Sequence, residues 1–111
     1  MSASSETIRF VIEDDFHAEP IGEPFGNVGE AVAELLRLGD LPWDRTPNRA
    51  PCVGWDACGR DYWLIEYEGD ASWRCRRRLF VMRMGSGGAH WIVPRDEIES
   101  RFCGLPVETV A

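Results

Sequence analysis

The sequence predicts an α+β domain in the order β-α-loop-β-β-β-α, with a mostly antiparallel sheet and helices packed on one face. Three observations predict it. Thr7 to Glu13 and Asp61 to Glu68 alternate at period two, as half-buried strands do. Two segments, one closed by Gly39 and one by Gly104, carry apolar residues at helical spacing. Arg76 to Met84 and Ala89 to Val93 flank the glycine turn Gly85-Ser86-Gly87-Gly88, which reads as a hairpin.

In the first strand Ile8, Phe10 and Ile12 point one way, and Arg9, Val11 and Glu13 the other. From Asp14 to Gly26, Pro20, Gly22, Pro24 and Gly26 break regular structure, so this segment is expected to be a loop. Asn27 is the expected N-cap of the first helix, with Glu30 in a capping-box position. Val28, Ala31, Val32, Leu35 and Leu36 form its apolar stripe, and Gly39 is expected to supply a left-handed C-terminal cap.

Residues 40–60 resist assignment: Pro42, Pro47, Pro51, Gly54 and Gly59 interrupt them. In the next strand Trp63, Ile65 and Tyr67 are expected on the apolar face and Leu64, Glu66 and Glu68 on the other. Arg76 to Met84 is apolar on both faces from Leu79 to Met82, as a central strand would be. Its hairpin register sets Met82 opposite Trp91 and Val81 opposite Ile92, while Glu66 and Glu68 fall across from Arg74, Arg76 or Arg78. Pro94 opens the last helix, Ile98 and Phe102 face inward, and Glu97 and Arg101 are spaced for an ion pair. Residues 1–111 are read as a single domain, with 1–6 as a disordered tail and 104–111 as a C-terminal tail.

Composition narrows function. The 111 residues are 44% apolar, too apolar for a disordered chain, and no apolar run approaches the ~18 residues of a membrane span. Met1 to Glu6 has no basic and apolar signal pattern, so the expected location is the cytoplasm, with the four cysteines reduced or metal-bound. All 12 basic residues are arginine, which excludes a Schiff-base lysine and a P-loop lysine. Residues 1–40 hold nine acids against Arg9 and Arg37, whereas residues 41–111 hold ten acids and ten arginines. The whole net charge of −7 therefore belongs to the first third.

Five constellations of residues could carry chemistry. Cys52 and Cys58, completed by Cys75, Cys103, His17 or His90, are the zinc alternative, but their spacing is wider than the usual ligand pair. A cysteine with His17 or His90 and an acid is the minimal nucleophilic set, without a local signature. Glu13-Asp14-Asp15-Phe16-His17 offers ligands to a hard cation but lacks EF-hand spacing, and a solvated loop is the preferred reading. Arg74, Arg76, Arg77 and Arg78 beside Trp73 form a basic cluster. The helix–three strands–helix portion resembles a double-stranded RNA-binding domain in element order. That family contacts phosphates through basic residues opening its last helix, whereas here the turn reads Pro94-Arg95-Asp96-Glu97. Direct nucleic-acid binding is therefore not expected, and cross-strand pairing of the arginines with Glu66, Glu68 and Asp70 is. Trp43, Trp55 and Trp73 lie in loops or turns, and Trp63 and Trp91 are assigned to the core.

The expected function is a non-enzymatic protein-interaction module binding a basic macromolecular partner through its acidic N-terminal surface. The residues expected to bind are Glu13, Asp14, Asp15, Glu19, Glu23, Glu30, Glu34, Trp43 and Trp55. In size and charge the chain is similar to acidic inhibitors of nucleic-acid-binding proteins and to toxin-immunity proteins. The expected partner is accordingly a protein, with a nucleic-acid-binding protein as one case. No cofactor is expected. The alternative is a small-molecule-binding or metal-dependent domain with the loop 40–60 as a lid, the weak ligand set being Cys52, Cys58 and His90.

Overall fold

A computed structural model describes residues 7–51, 58–69 and 73–107. The fold is α+β: a five-stranded antiparallel sheet of order β2-β1-β3-β4-β5 with two helices. The strands are β1 (Ile8–Asp14), β2 (Glu19–Pro20), β3 (Arg60–Glu68), β4 (Arg74–Gly85) and β5 (Gly88–Trp91). The helices are α1 (Val28–Asp40) and α2 (Ile98–Cys103), the latter preceded by a 3-10 turn at Arg95–Glu97. The expected tail at 1–6, the end of the C-terminal tail, Cys52, Trp55 and Asp70 lie outside the described residues.

The segment after β1 is not simply a loop. Glu19 and Pro20 pair with Asp14 and Glu13, and Phe25 exchanges backbone hydrogen bonds with Phe10. Its prolines and glycines permit this because the pairing is short and lies at the sheet edge. It buries Ile21 against the core.

Asn27 caps α1 as expected, accepting from the Glu30 amide at 2.9 Å. The helix does not end on a left-handed Gly39. It runs through Asp40, and Leu41 is extended. The carbonyls of Leu38, Leu41 and Pro42 accept instead from the Asn48 side-chain amide at 2.9, 3.2 and 3.2 Å. Tyr62 donates its hydroxyl to Asn48 at 2.8 Å, so a buried side chain on β3 ties down the loop after the helix. Burial among apolar neighbours raises the Tyr62 phenol well above its usual range. Gly39 is needed for another reason: a Cβ there would lie 2.2 Å from the Trp91 ring.

The core lies between the helices and one sheet face. Ala31, Val32, Leu35 and Leu38 of α1 and Ile98 and Phe102 of α2 meet Ile12, Tyr62, Leu64, Met82 and Met84. Burial covers the whole even-numbered face of β3, including Arg60, Glu66 and Glu68, and on the odd-numbered face only Ile65. This corrects the assignment of Trp63 and Tyr67 to the core face. Trp91 does pack against the core.

The hairpin register is as expected at Met82 and Trp91. Between β3 and β4 the register shifts twice, so that Glu66 opposes Arg77 and Glu68 opposes Arg74. Glu66 binds Arg76 at 2.9 Å and Arg77 at 2.6 Å, and Arg74 pairs with Glu68. Arg77 also donates to the carbonyls of Phe102, Cys103 and Leu105, closing the C-terminal end of α2. The arginine cluster is thus held largely by local carboxylates. Among the described residues no helix is long and apolar enough to cross a membrane.

Candidate functional site: the cleft beside Cys58

Where β1 leaves the sheet, the chain turns at Asp14 and brings His17 back against it. Asp14 is wholly buried, not a solvated loop carboxylate. Four donors saturate it. Oδ1 accepts from the amides of Phe16 at 3.0 Å and Asp61 at 2.9 Å. Oδ2 accepts from Arg60 at 2.9 Å and lies 2.5 Å from His17 Nδ1. A buried carboxylate survives only with such compensation. Arg60 also pairs with Glu19 and donates to the Arg49 carbonyl at 3.0 Å, joining β1, β2 and the loop after α1.

Because Asp14 accepts at Oδ2, His17 donates from Nδ1 and turns Nε2 toward Cys58. Nε2 lies 3.4 Å from Cys58 Sγ. Asp14, His17 and Cys58 therefore stand in line: acid, imidazole, sulfur. Cys58 is disulfide-bonded, which corrects the expectation that every cysteine is reduced or metal-bound; Cys103 is an exposed free thiol. Cys58 lines an open cleft of about 310 Å³ with Phe16, Gly59, Asp61 and Arg83. Gly59 is required there, since a Cβ would meet the Met84 carbonyl oxygen at 2.4 Å. Arg83 donates to Asp61 at 2.9 Å on the cleft wall, and Phe16 is among the most exposed large apolar residues.

The other expected binding residues scatter. Glu13 accepts from the Tyr67 hydroxyl at 2.6 Å, and Asp15 pairs with Arg78 at 3.1 Å. Burial, with the Glu13 bond adding to it, raises the Tyr67 phenol. Glu34 is held by Arg37, while Glu23 and Glu30 are exposed. Trp43 packs against the core cluster. His90 is exposed on β5 opposite Arg83, and the cleft beside Cys58 is lined without it. Among the described residues no group of three or more metal-ligating side chains is assembled.

Sequence reasoning weighed His17 with a cysteine and an acid but did not foresee Arg60 or Phe16 at the site. The signal was missing because 46 residues separate Arg60 from Asp14. Only the pairing of β1 with β3 brings them together. No family model, no curated protein and no solved structure matches this chain.

Proposed function

We propose that this chain is a non-enzymatic protein-interaction module, of inhibitor or immunity type, that binds a basic macromolecular partner through an acidic surface. One observation supports it. Among the described residues, Arg37, Arg60, Arg74, Arg76, Arg77, Arg78, Arg83, Arg95 and Arg101 are each in an ion pair. Glu23, Glu30, Asp44, Asp96 and Glu99 are exposed and have none. Glu30, Asp96 and Glu99 lie on the helical segments, and Glu23 and Asp44 lie in the loops before and after α1. Arg45, exposed on the loop after α1, stands outside these pairs as well, so the excess charge of the helical layer is negative on balance, a refinement of the N-terminal surface expected from sequence. Such a field steers a basic partner and weakens with salt.

The test immobilises the full chain and captures partners from a lysate of its source organism. Wild type is compared with the triple variant Glu30→Gln, Asp96→Asn, Glu99→Gln. A basic partner that elutes as salt rises, and that the variant fails to hold, is the expected result. Capture that survives both changes would overturn the acidic surface. A second reading, small-molecule chemistry at the cleft, is favoured by the alignment of Asp14, His17 and Cys58.

A further inference from the structure

We infer that the unpaired outer edge of β4, from Arg76 to Phe80, is a docking edge for an extended acidic segment of a partner protein. The inference does not depend on the acidic helical layer. β4 runs for 12 residues, but β5 pairs only with Met82 to Gly85. The Val81 carbonyl accepts from the Ile92 and Val93 amides, and beyond it, among the described residues, no strand lies on that flank. An open groove of about 240 Å³ adjoins the flank, lined by Cys75, Arg76, Arg77, Arg78, Leu105 and Pro106. Arg77 lies with Glu66 on the face beneath the helices, and Arg78 lies over Trp63 on the opposite face. A cavity that touches both meets the strand at its edge, not on one face. The segment across the groove does not satisfy that edge. Leu105 gives its N–H to the Phe102 carbonyl at 3.1 Å, its own carbonyl accepts from Arg77 at 3.3 Å, and Pro106 has no N–H.

Charge selects the occupant. Among the described residues the guanidiniums of Arg74, Arg76, Arg77 and Arg78 share the carboxylates of Glu66, Glu68 and Asp15 alone. The strand therefore carries a positive excess on a chain whose net charge is −7. An extended acidic segment meets both needs of this edge. Its backbone supplies the donors and acceptors that complete an antiparallel ladder, and its carboxylates offset the excess arginine charge. Leu105 and Pro106 give the groove an apolar wall for the alternate side chains of the incoming strand. A second copy of the chain would set the same arginines against one another, and like charges opposed across strands repel. A nucleic acid would answer the charge but has no peptide backbone to complete the ladder.

The experiment uses the full chain at low salt, with a fluorescent peptide of alternating valine and glutamate as the probe and anisotropy as the readout. That peptide is expected to bind about tenfold tighter than its valine–lysine counterpart, because charge complementarity separates the two. N-methylation of the acidic peptide at every residue removes its N–H donors and is expected to weaken it about tenfold. Arg78 is exposed and pairs with an exposed Asp15, so Arg78→Gln keeps the fold and is expected to weaken binding about threefold. On adding the peptide, NMR amide shifts are expected at Arg76 to Phe80 and at Leu105. No binding of the acidic peptide, or equal binding of its N-methylated form, would overturn strand addition. Equal binding of the lysine peptide would remove the charge selection. Tighter binding of oligothymidylate would give the edge to nucleic acid, and a dimer that the peptide dissociates would give it to a second copy; either result replaces the acidic segment. None of these outcomes touches partner capture by the helical layer, which selects the opposite charge.

Discussion

The sheet face beneath the helices carries Arg60, Tyr62, Leu64, Glu66 and Glu68 from β3, whereas the opposite face carries Asp61, Trp63, Ile65 and Tyr67. On the covered face charge is buried, and each buried carboxylate is met by a guanidinium: Asp14 by Arg60, Glu66 by Arg76 and Arg77, Glu68 by Arg74. On the uncovered face aromatics are paved side by side. Trp63 stacks on Phe80 at 5.1 Å, with Arg78 4.3 Å above it, and Trp73 lies 5.5 Å from Tyr67 beneath Arg9. The contrast teaches that residue type alone does not decide what is buried here: Glu66 and Glu68 are buried beneath the helices, while Trp63 and Tyr67 stay half-buried on the other face beside the buried Ile65 and Val11. Ion pairs under the helices cannot rearrange into water, so they are costly to break. Aromatic–arginine stacks on the other face shield apolar surface while keeping charge wet.

The largest effect should come from breaking a covered pair. Glu66→Ala removes the buried carboxylate between Arg76 and Arg77, leaving Arg76 with Glu68 at 3.6 Å and Arg77 with the carbonyls at the end of α2, and should cost about 3–5 kcal/mol of unfolding free energy in a denaturant titration. A loss under about 1 kcal/mol would mean that the pair is solvated and the two faces are alike. Asn48→Ala removes the donor to three carbonyls and the acceptor for Tyr62, still on the covered side. It should cost about 1–3 kcal/mol, with faster amide exchange at the end of α1. Trp63→Ala removes only the stack with Phe80 and the cation above it. It should cost about 1–2 kcal/mol by the same titration, less than Glu66→Ala although a far larger side chain is lost. Reversal of that order would sink the comparison.

The sequence reading reached the secondary structure because the relevant signals are local. Asn27 caps its own helix, the glycine turn sets the Met82–Trp91 register, and Ile98 and Phe102 face inward by spacing alone. It misplaced the core side of β3 because period-two alternation separates two faces without saying which one the helices cover. Trp63, Ile65 and Tyr67 looked apolar, while Glu66 and Glu68 looked solvated. The partners that make those carboxylates buriable, Arg74, Arg76 and Arg77, act through two register shifts that no pattern announces. The candidate site was legible as residue types, since His17 with a cysteine and an acid is visible in the chain. Its geometry was not, because the Asp14–Arg60 contact and the cleft depend on long-range pairing of β1 with β3. Gly39 was misassigned for the same reason: the Trp91 ring that needs its missing side chain comes from a distant strand.

The smallest effect belongs to a fully exposed pair on the helical side, Asp40 with Arg95. Arg95 donates to Asp40 at 2.9 and 3.4 Å, linking the last turn of α1 to the 3-10 turn before α2. That hydrogen bond, helped by the nearby positive charge, lowers the Asp40 carboxyl below its ordinary 3.8. The sign follows from linkage. A carboxyl depressed in the folded state favours folding where it is ionised in both states, above its unfolded value. That contribution fades as pH falls through the depressed value. Solvent and salt screen a pair this exposed, so stability should hardly register it, and the measurable quantity is the titration itself. Carbon-detected NMR should find the Asp40 midpoint below 3.8 in the wild type and returned to it in Arg95→Ala, with the folded state intact in both. If Arg95→Ala instead unfolds the protein, the link between α1 and the 3-10 turn belongs with the covered ion pairs. The division between buried and exposed charge would then have to be redrawn through the helical layer.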